Sequence, residues 1–95
     1  MEIKQVNNTA KGNLKALEGG KEAGEMGYTW AGEDKFIIDH TTVSPEFEGK
    51  GIGKKLVIEV VNFARQNNVK IIPKCPFAKN VIEKSEEMKD VLFKS

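Results

Sequence analysis

Residues that form disulfides or bind structural metal ions are scarce in this chain of 95 residues. It has one cysteine, Cys75, and one histidine, His40, so an internal disulfide framework and a multi-cysteine zinc site are excluded. No apolar run approaches the roughly 18 residues of a membrane span, and the first residues show no apolar signal-peptide core. We therefore expect a cytoplasmic protein that has no metal site and does not associate with membranes.

An excess of charge of one sign is also missing, since 15 Lys and Arg face 14 Asp and Glu. The two halves nevertheless differ, because residues 1–48 carry five basic and nine acidic residues whereas residues 49–95 carry ten and five. Within residues 50–79 there are seven basic residues and one acidic residue, Glu59. The near-neutral total argues against a nucleic-acid coat or a membrane-surface arm, and the basic segment favours a local anion site.

Length and hydrophobic patterning predict a single domain, residues 1–95, of the α+β class. Short apolar or alternating runs, separated by Gly, Asn and charged pairs, predict four antiparallel strands in the first half. These strands are expected at residues 3–8, 13–18, 22–30 and 35–43.

The hydrophobic period then changes to that of a helix, predicted from about Gly51 to Asn68. A short β-branched run at residues 69–73 predicts a fifth strand, and two short helices are expected after Pro76 and around Met88. A strand, a long helix and a strand form a βαβ unit with a right-handed crossover. Strands four and five are therefore predicted to be parallel, with the long helix covering one face of the sheet.

The most informative segment is a glycine-rich turn between strand four and the long helix, Glu48-Gly49-Lys50-Gly51-Ile52-Gly53. Unpaired N–H groups at a helix N-terminus bind phosphate oxygens, and glycines let the backbone approach closely. The spacing fits neither a P-loop nor a dinucleotide-binding fingerprint. The turn predicts a pyrophosphate site, and the alternative interpretation is an ordinary strand-to-helix turn.

This turn resembles the acyl-CoA loop of the GCN5-related N-acetyltransferases, whose pattern is Gln/Arg-x-x-Gly-x-Gly/Ala. The segments His40-Thr41-Thr42-Val43 before the turn and Ile71-Ile72-Pro73-Lys74-Cys75 after the helix resemble the small, shortened branch of that superfamily. The resemblance extends from about Tyr28 to the end of the chain. The departure from the family pattern is Glu48, an acidic residue where Gln or Arg is usual.

The resemblance implies that acetyl-CoA lies between strands four and five and that a strand-four N–H polarises the thioester carbonyl. The pantetheine arm is expected along the backbone of Thr41, Thr42 and Val43, with Asn80 and Lys84 as candidates for the adenosine phosphate. The diphosphate is expected at the turn and helix start, at Glu48, Gly49, Lys50, Gly51, Ile52, Gly53 and Lys54. The implied function is acetyl transfer from acetyl-CoA to an unknown amine, and the alternative is a CoA-binding module without turnover.

Two side chains are candidate catalytic residues. Cys75 lies at the start of the helix that follows strand five, where the helix dipole favours a thiolate that could accept the acetyl group. His40 could deprotonate an amine or help activate that thiol. The structural alternatives are a small buried cysteine and a core-edge histidine that shares its strand face with Ile38 and Thr42.

Two further properties are left open or disfavoured by the sequence. A nucleic-acid binder that uses residues 50–79 is disfavoured, because the basic residues bracket one glycine turn and no series of aromatic residues accompanies them. The expected oligomeric state is a monomer or a weak homodimer that pairs through an edge strand.

Overall fold

Five strands form one mixed sheet whose spatial order follows the chain order. The structure is a computed structural model and describes residues 1–93. Neighbouring strands from β1 to β4 pair antiparallel, whereas β4 and β5 pair parallel. The predicted α+β class and strand topology are therefore confirmed. The strands are β1 (Glu2–Asn7), β2 (Lys11–Glu18), β3 (Lys21–Trp30), β4 (Lys35–Val43) and β5 (Lys70–Pro73).

Two helices accompany the sheet. Helix α1 (Ile52–Gln66) connects β4 to β5, and helix α2 (Pro76–Glu83) follows β5. The predicted bounds of α1 are too wide because Gly51 and Asn68 both have left-handed φ angles, +75° and +54°, which an α-helix does not accept. Short 3-10 helices at Pro45–Phe47, which the pattern did not predict, and at Lys89–Val91 complete the fold. No helix within residues 1–93 is long and apolar enough to cross a membrane.

The core lies between one face of the sheet and α1. Gly24 of β3 lets the helix approach closely, because a Cβ there would lie 2.9 Å from the Ile52 side chain and 2.9 Å from the Thr42 carbonyl oxygen. Helix α2 lies beside the N-terminal half of α1, where the Phe77 ring covers Gly53. The apolar stripe of α1 is buried against the sheet through Ile52, Leu56, Val57, Val60, Val61 and Ala64.

A β-bulge in β4 changes which side chains face the helices. Gly27 of β3 pairs with His40, but the next residue, Tyr28, pairs with Ile38, so Asp39 is an extra residue in β4. An extra residue shifts the side-chain alternation by one position. Before the bulge, Ile38 is buried on the helix face, whereas His40 after it is exposed. The expectation that His40 and Thr42 share a face with Ile38 is therefore wrong.

The segment after α2 covers the outer edge of β5. Leu92 forms a parallel bridge with Ile71, and the Phe93 amide donates to the Ile71 carbonyl at 2.9 Å. Arg65 of α1 holds this segment through its guanidinium, which lies 2.7 Å from Asp90 Oδ1. The side of β5 that faces away from β4 is therefore paired, and the site-forming gap lies on the β4 side.

Candidate functional site

Strands β4 and β5 separate midway along β4. The last parallel pair joins Ile38 to Pro73, and the amides of Lys74 and Cys75 both donate to the Ile38 carbonyl, at 3.2 and 3.1 Å. Beyond this point β4 continues to Val43, and in residues 1–93 its edge has no strand partner on that side. The result is a V-shaped gap, hereafter the V, with β4 as one wall and α2 as the other.

The backbone of β4 presents hydrogen-bonding groups to the V. The Ser44 amide donates across to Ala23 of β3 at 2.8 Å. Since the backbone groups of successive strand residues point to opposite edges, those of Thr41 and Val43 point away from β3 and into the gap. The Thr41 amide faces Cys75 there and contributes to lowering the pKa of its thiol.

Cys75 lies at the base of the V as the N-cap residue of α2. Its side chain is buried, with 5% of the residue exposed, and its Sγ lies 3.5 Å from Thr41 Oγ1. Burial raises the pKa of this thiol, but backbone N–H groups of Ala78 and Phe77 and both polar groups of Thr41 bond to the sulfur. Together they bring the pKa of Cys75 below its usual value, because hydrogen bonds to a thiolate favour the charged form.

The glycine-rich turn forms the mouth of the V. Gly49 and Gly51 have φ angles of +81° and +75°, and Gly51 is the N-cap of α1 without a side-chain capping bond. A cleft of about 340 Å³ lies over this turn, with Val43, Phe47, Phe77 and Val81 as its apolar lining. The turn therefore exposes the start of α1 to any ligand in the cleft, and the orphan N–H groups of a first helical turn attract anions.

Gly53 shows how closely the two helices approach at this mouth. A Cβ at Gly53 would lie 2.8 Å from the ring of Phe77, whose residue is 43% exposed. Phe77, Val81 and Ile82 have the spacing of a buried helical stripe, but only Ile82 of the three is fully buried. Phe77 instead lines the cleft, and sequence reasoning missed it because an apolar residue in a helical stripe carries the same pattern in either place.

The predicted phosphate-binding side chains fall into two groups. Lys50 is exposed, and its Nζ lies 5.3 Å from the centre of the Phe47 ring. Lys54, Asn80 and Lys84 line a second cleft of about 270 Å³, which shares Lys54 and Val81 with the first. The structure thus places Asn80 and Lys84 in one cleft with Lys54, next to the helix start. Glu48 is exposed at the rim of the first cleft.

His40 and Thr42 lie on the opposite side of the sheet. The His40 side chain is 53% exposed, and its Nε2 lies 3.4 Å from Glu25 Oε1 on β3. Cys75 contacts Thr41, whose side chain points to the helix face, so the bulge separates the two predicted catalytic side chains across β4. Within residues 1–93, no group of three or more His, Cys, Asp or Glu side chains is arranged to hold a metal ion.

Residues 13–91 match the family model of the GCN5-related N-acetyl-transferases. A GCN5-like protein from Staphylococcus aureus, solved by NMR, is 39% identical over 99% of this chain and 89% of its own, with a TM-score of 0.75. The chain belongs to the GCN5-related N-acetyltransferase family. The family that the glycine turn indicated in the sequence is therefore confirmed.

Solved structures of acetyltransferases with lower sequence identity share the fold. Ribosomal-protein-alanine N-acetyltransferase from Brucella melitensis is 19% identical, with a TM-score of 0.69 over 93% of this chain and 65% of its own. An acetyltransferase from Bacillus anthracis, solved in complex with acetyl coenzyme A, is 20% identical, with a TM-score of 0.61 over 72% of this chain and 40% of its own. A search of curated protein sequences gives no match.

Proposed function

We propose that this protein binds acetyl-CoA in the V and transfers the acetyl group to an amine. The observation that carries the proposal is the unpaired edge of β4, which leads directly from the glycine turn to the Thr41 amide and Cys75. A ligand with an anionic end and a long, amide-bearing arm fits such a continuous path. Membership of the family, and the acetyl-CoA bound to the Bacillus anthracis relative, support the same ligand.

The proposed ligand takes three positions along this path. Its diphosphate binds the backbone amides at residues 49–54, aided by Lys50 and Lys54, because the start of α1 lacks a side-chain cap. Its pantetheine amides pair with the free edge of β4 at Thr41 and Val43. Its adenosine phosphate lies in the second cleft, where Asn80 and Lys84 meet Lys54.

The thioester is proposed to lie at the base of the V, next to Thr41. A backbone N–H at that position stabilises the negative charge that develops on the thioester oxygen during attack, and such oxyanion stabilisation is worth roughly 2.7–4 kcal/mol per donor. Holding the two reactants together supplies most of the remaining rate enhancement. Direct transfer therefore requires no nucleophilic side chain.

A route through an S-acetyl-Cys75 intermediate is the second candidate, and the low pKa of the Cys75 thiol favours it. In this route the thiolate attacks the thioester carbonyl, the bond to the CoA sulfur breaks, and CoA leaves as a thiolate. The neutral amine then attacks the acetyl carbon, a C–N bond forms, and the bond from that carbon to Cys75 Sγ breaks. The proton lost by the nitrogen neutralises a released thiolate, so that an amide, free CoA and the original Cys75 result. Intact mass of the protein after incubation with acetyl-CoA separates the routes, because only this one leaves an adduct that Cys75→Ala removes.

Calorimetric titration with acetyl-CoA, with ATP as the control ligand, tests the binding site. We expect a Kd well below ~1 mM, which corresponds to about 4 kcal/mol, and much weaker binding of ATP. Gly51→Val should abolish binding, because a β-branched residue is strained at a φ of +75° and moves the turn. Gly32→Val is the matched control, since Gly32 has a φ of +106° but lies in the β3–β4 turn, at the opposite end of β4 from the glycine turn.

Turnover is tested on the same preparations by measuring the release of CoA thiol with primary amines. Release that depends on the amine supports the transferase. Tight binding of acetyl-CoA without release with any amine would support the CoA-binding module instead. Loss of binding in both glycine variants would overturn the placement of the diphosphate, because the control would then share the defect.

A further inference from the structure

The two edges of the sheet differ in how they end. Leu92 and Phe93 pair with the outer edge of β5, and the open part of β4 forms the V. Strand β1 lies at the other edge, where it pairs with β2 but with no further strand of residues 1–93. A free strand edge is a template for pairing with another chain, and native proteins usually block it with a proline, a bulge or a very short strand.

Strand β1 has none of these protective features. Residues Glu2–Asn7 pair with β2 in an unbroken register, without a bulge or a proline. The Asn8 amide donates to the Lys11 carbonyl on β2 at 2.9 Å, and the backbone groups of successive strand residues point to opposite edges. The amides and carbonyls of Ile3 and Gln5 therefore point outward, where a further strand can bond to them.

A groove runs beside this edge on the helix side of the sheet. It has a volume of about 300 Å³ and lies between β1 and α1, with Met1, Ile3, Lys55, Ile58 and Glu59 as its lining. Ile58 is 39% exposed, although it is a large apolar residue. The free edge of β1 and this groove form one surface, hereafter the β1 edge surface, which is apolar at its centre.

The charged residues of β1 lie on the other side of the strand. Glu2 and Lys4 flank Ile3, so their side chains point to the face of the sheet that α1 and α2 leave uncovered, hereafter the uncovered face. Both residues are exposed, as are Lys55 and Glu59 on α1. None of the four forms an ion pair with another residue of 1–93. The β1 edge surface thus carries opposite charges on each side of the strand that are available to a partner.

Two-fold symmetry makes these charges complementary to themselves. If the β1 strand of a second copy pairs antiparallel with Ile3 opposite Ile3, Glu2 of each copy lies opposite Lys4 of the other. Opposite charges directly across two strands stabilise their pairing, and in an isologous interface each such contact occurs twice. The outward amides and carbonyls of the two Ile3 residues then bond to each other at the axis.

Charge selects this register over its neighbours. Outward backbone groups bond only where odd-numbered residues of one β1 face odd-numbered residues of the other. A shift by two residues places Lys4 opposite Lys4, where like charges repel. A shift by four residues places Gln5 opposite Gln5 and Ile3 opposite Asn7, which moves the two apolar grooves apart. The register centred on Ile3 therefore joins both the charges and the grooves.

We propose that the β1 edge surface is a self-association site, to which a second copy of this chain adds its own β1 antiparallel with Ile3 at the two-fold axis. The two five-stranded sheets then form one continuous sheet. The α1 helices run antiparallel on the two sides of the joined groove, with Lys55 and Glu59 in reverse order along its walls. Each V lies at an outer end of the joined sheet and stays open, so this inference does not rest on the proposed function.

Analytical ultracentrifugation tests the association. Residues 1–5 and one groove make a small contact, so we expect a dimer of the weak class, below about 1,200 Å². The wild-type protein should pass from monomer to dimer between about 10 µM and 1 mM, the range of a weak affinity. Glu2→Lys and Lys4→Glu each place like charges opposite one another twice, and each should raise the dimer Kd by at least about tenfold. A protein that remains monomeric at about 1 mM would overturn the proposal.

An equimolar mixture of these two variants provides the matched comparison. Each variant offers the charge that the other lacks, so a mixed dimer should form with an affinity close to that of the wild-type protein. The double variant Glu2→Lys/Lys4→Glu should self-associate again for the same reason. Both changes lie on exposed side chains, and circular dichroism checks that each variant is folded. Weakening without restoration in the mixture and in the double variant would overturn the register and the site.

The groove has its own variant and control. Ile58→Lys places like charges along the joined groove and should raise the dimer Kd by at least about tenfold. Gln66→Lys adds the same charge to an exposed position in the last turn of α1, outside the groove, and should leave the Kd unchanged. Equal weakening by both variants would show that net charge alone is responsible and would overturn the role of the groove.

Hydrogen exchange reads the backbone pairing directly. The amides of Ile3 and Gln5 should exchange more slowly in concentrated than in dilute solution, because a second copy bonds to them. The amides of Lys4 and Val6 point to β2 and should exchange at the same rate in both. Equal slowing of all four amides would indicate a general stabilisation of β1 and would overturn pairing at its edge. Acetyl-CoA binding to Glu2→Lys should match the wild type, since β1 and the V lie at opposite edges of the sheet.

Discussion

Cys75 shows how a few backbone groups can set the chemistry of one side chain. Burial alone disfavours a thiolate, yet the amides of Ala78, Phe77 and Thr41 converge on this sulfur and reverse the effect. Two of these amides belong to the start of α2, and the third belongs to the free edge of β4. The reactivity of the thiol is therefore a property of the V.

We expect alkylation of Cys75 by iodoacetamide to reach its half-maximal rate at a lower pH than alkylation of the unfolded chain. The folded pKa is lowered, so the thiolate appears earlier as the pH rises. The measurement follows adduct mass against pH for folded and urea-unfolded protein. Thr41→Val removes the hydroxyl and should move the folded midpoint upward. A folded midpoint at or above the unfolded one would contradict this account.

The sign of the corresponding stability effect follows from the same shift. A group with a lowered folded pKa stabilises the fold above its unfolded pKa, near 8.5 for a thiol, and this contribution is lost as the pH falls through the folded value. Cys75→Ser should therefore lose stability relative to wild type mainly on the alkaline side. Urea unfolding of both proteins at neutral and alkaline pH measures the difference.

Gly53 gives a second prediction for a single residue. Gly53→Ala should weaken acetyl-CoA binding, because the added Cβ would lie only 2.8 Å from the Phe77 ring and would push that ring into the cleft. Stability should change little, because alanine favours the helix by about 1 kcal/mol and the exposed ring can move. Calorimetry and urea unfolding measure the two effects. Adding Phe77→Ala should restore affinity, whereas a persistent loss would show that the backbone itself had moved.

At the scale of elements, β4 separates what the sequence predicted correctly from what it did not. The bounds of β4 were correct, because the turn residues before it and Pro45 after it end the strand on local chemistry. The face predicted for the residues of β4 was wrong from His40 onward, because a rule of strict alternation cannot include an extra residue. That extra residue exists only through pairing with Gly27 and Tyr28 of β3, which is a tertiary property.

The candidate site divides in the same way. The glycine turn and the Cys75 position were predictable, since left-handed glycines and a proline at a helix start are local signals. The separation of His40 from Cys75 was not predictable, because it depends on the register between β3 and β4. A cleft that β1 to β4 line on the face of the sheet away from α1 depends on three strand pairings at once, and no local pattern encodes it.

The close contact between α1 and β3 depends on one glycine. Gly24→Ala should cost about 1–3 kcal/mol in the free energy of unfolding, the usual range for overpacking. Its Cβ would meet the Thr42 carbonyl at 2.9 Å, and a backbone atom cannot move aside as a side chain can. Urea unfolding measures the cost. The control for Gly24→Ala is Ala23→Gly on the same strand, which changes the freedom of the β3 backbone without adding a Cβ. Gly32→Ala is unsuitable as a control, because the positive φ of Gly32 would add strain of its own.

The segment that covers β5 depends on an ion pair that titrates. The hydrogen bond from Arg65 lowers the pKa of Asp90, so its stabilising effect is present at neutral pH and is lost as the pH falls through that lowered value. Asp90→Asn should therefore lower the Tm at pH 7, and the difference from wild type should shrink as the pH falls through the lowered pKa of Asp90, because the wild-type carboxyl then becomes neutral as well. A Tm difference that is unchanged at acid pH would show that the carboxylate charge is not responsible.

At the scale of the whole molecule, the charge asymmetry of the sequence becomes an asymmetry between two faces. The basic second half supplies Lys50, Lys54 and Lys84 at the mouth of the V, and the acidic first half supplies Glu25 and Asp39 on the uncovered face. A net charge of +1 hides this division. The near-neutral chain therefore carries surfaces of opposite charge on opposite faces of the sheet.

Ligand binding should raise the stability of the whole domain. Acetyl-CoA at 100 times its Kd adds about 2.7 kcal/mol to the free energy of unfolding. For a domain of this size the corresponding rise in Tm is roughly 10–20 °C. Differential scanning fluorimetry at increasing acetyl-CoA concentration measures it, with the Gly51→Val variant as control. A Tm that does not depend on the acetyl-CoA concentration would contradict binding to the folded state.

The bulge also has a consequence for how this sequence can vary in length. Deleting Asp39 would make His40 the direct neighbour of Ile38, opposite Gly27 and Tyr28 in regular pairing. His40 and Thr42 would then stay on the face away from α1, and Thr41 and Val43 would stay on the helix face, because the bulge residue is the one that interrupts the alternation. Asp39 is therefore the position at which β4 can lose a residue and keep both faces, whereas removing Thr41 or Val43 would take a group from the wall of the V.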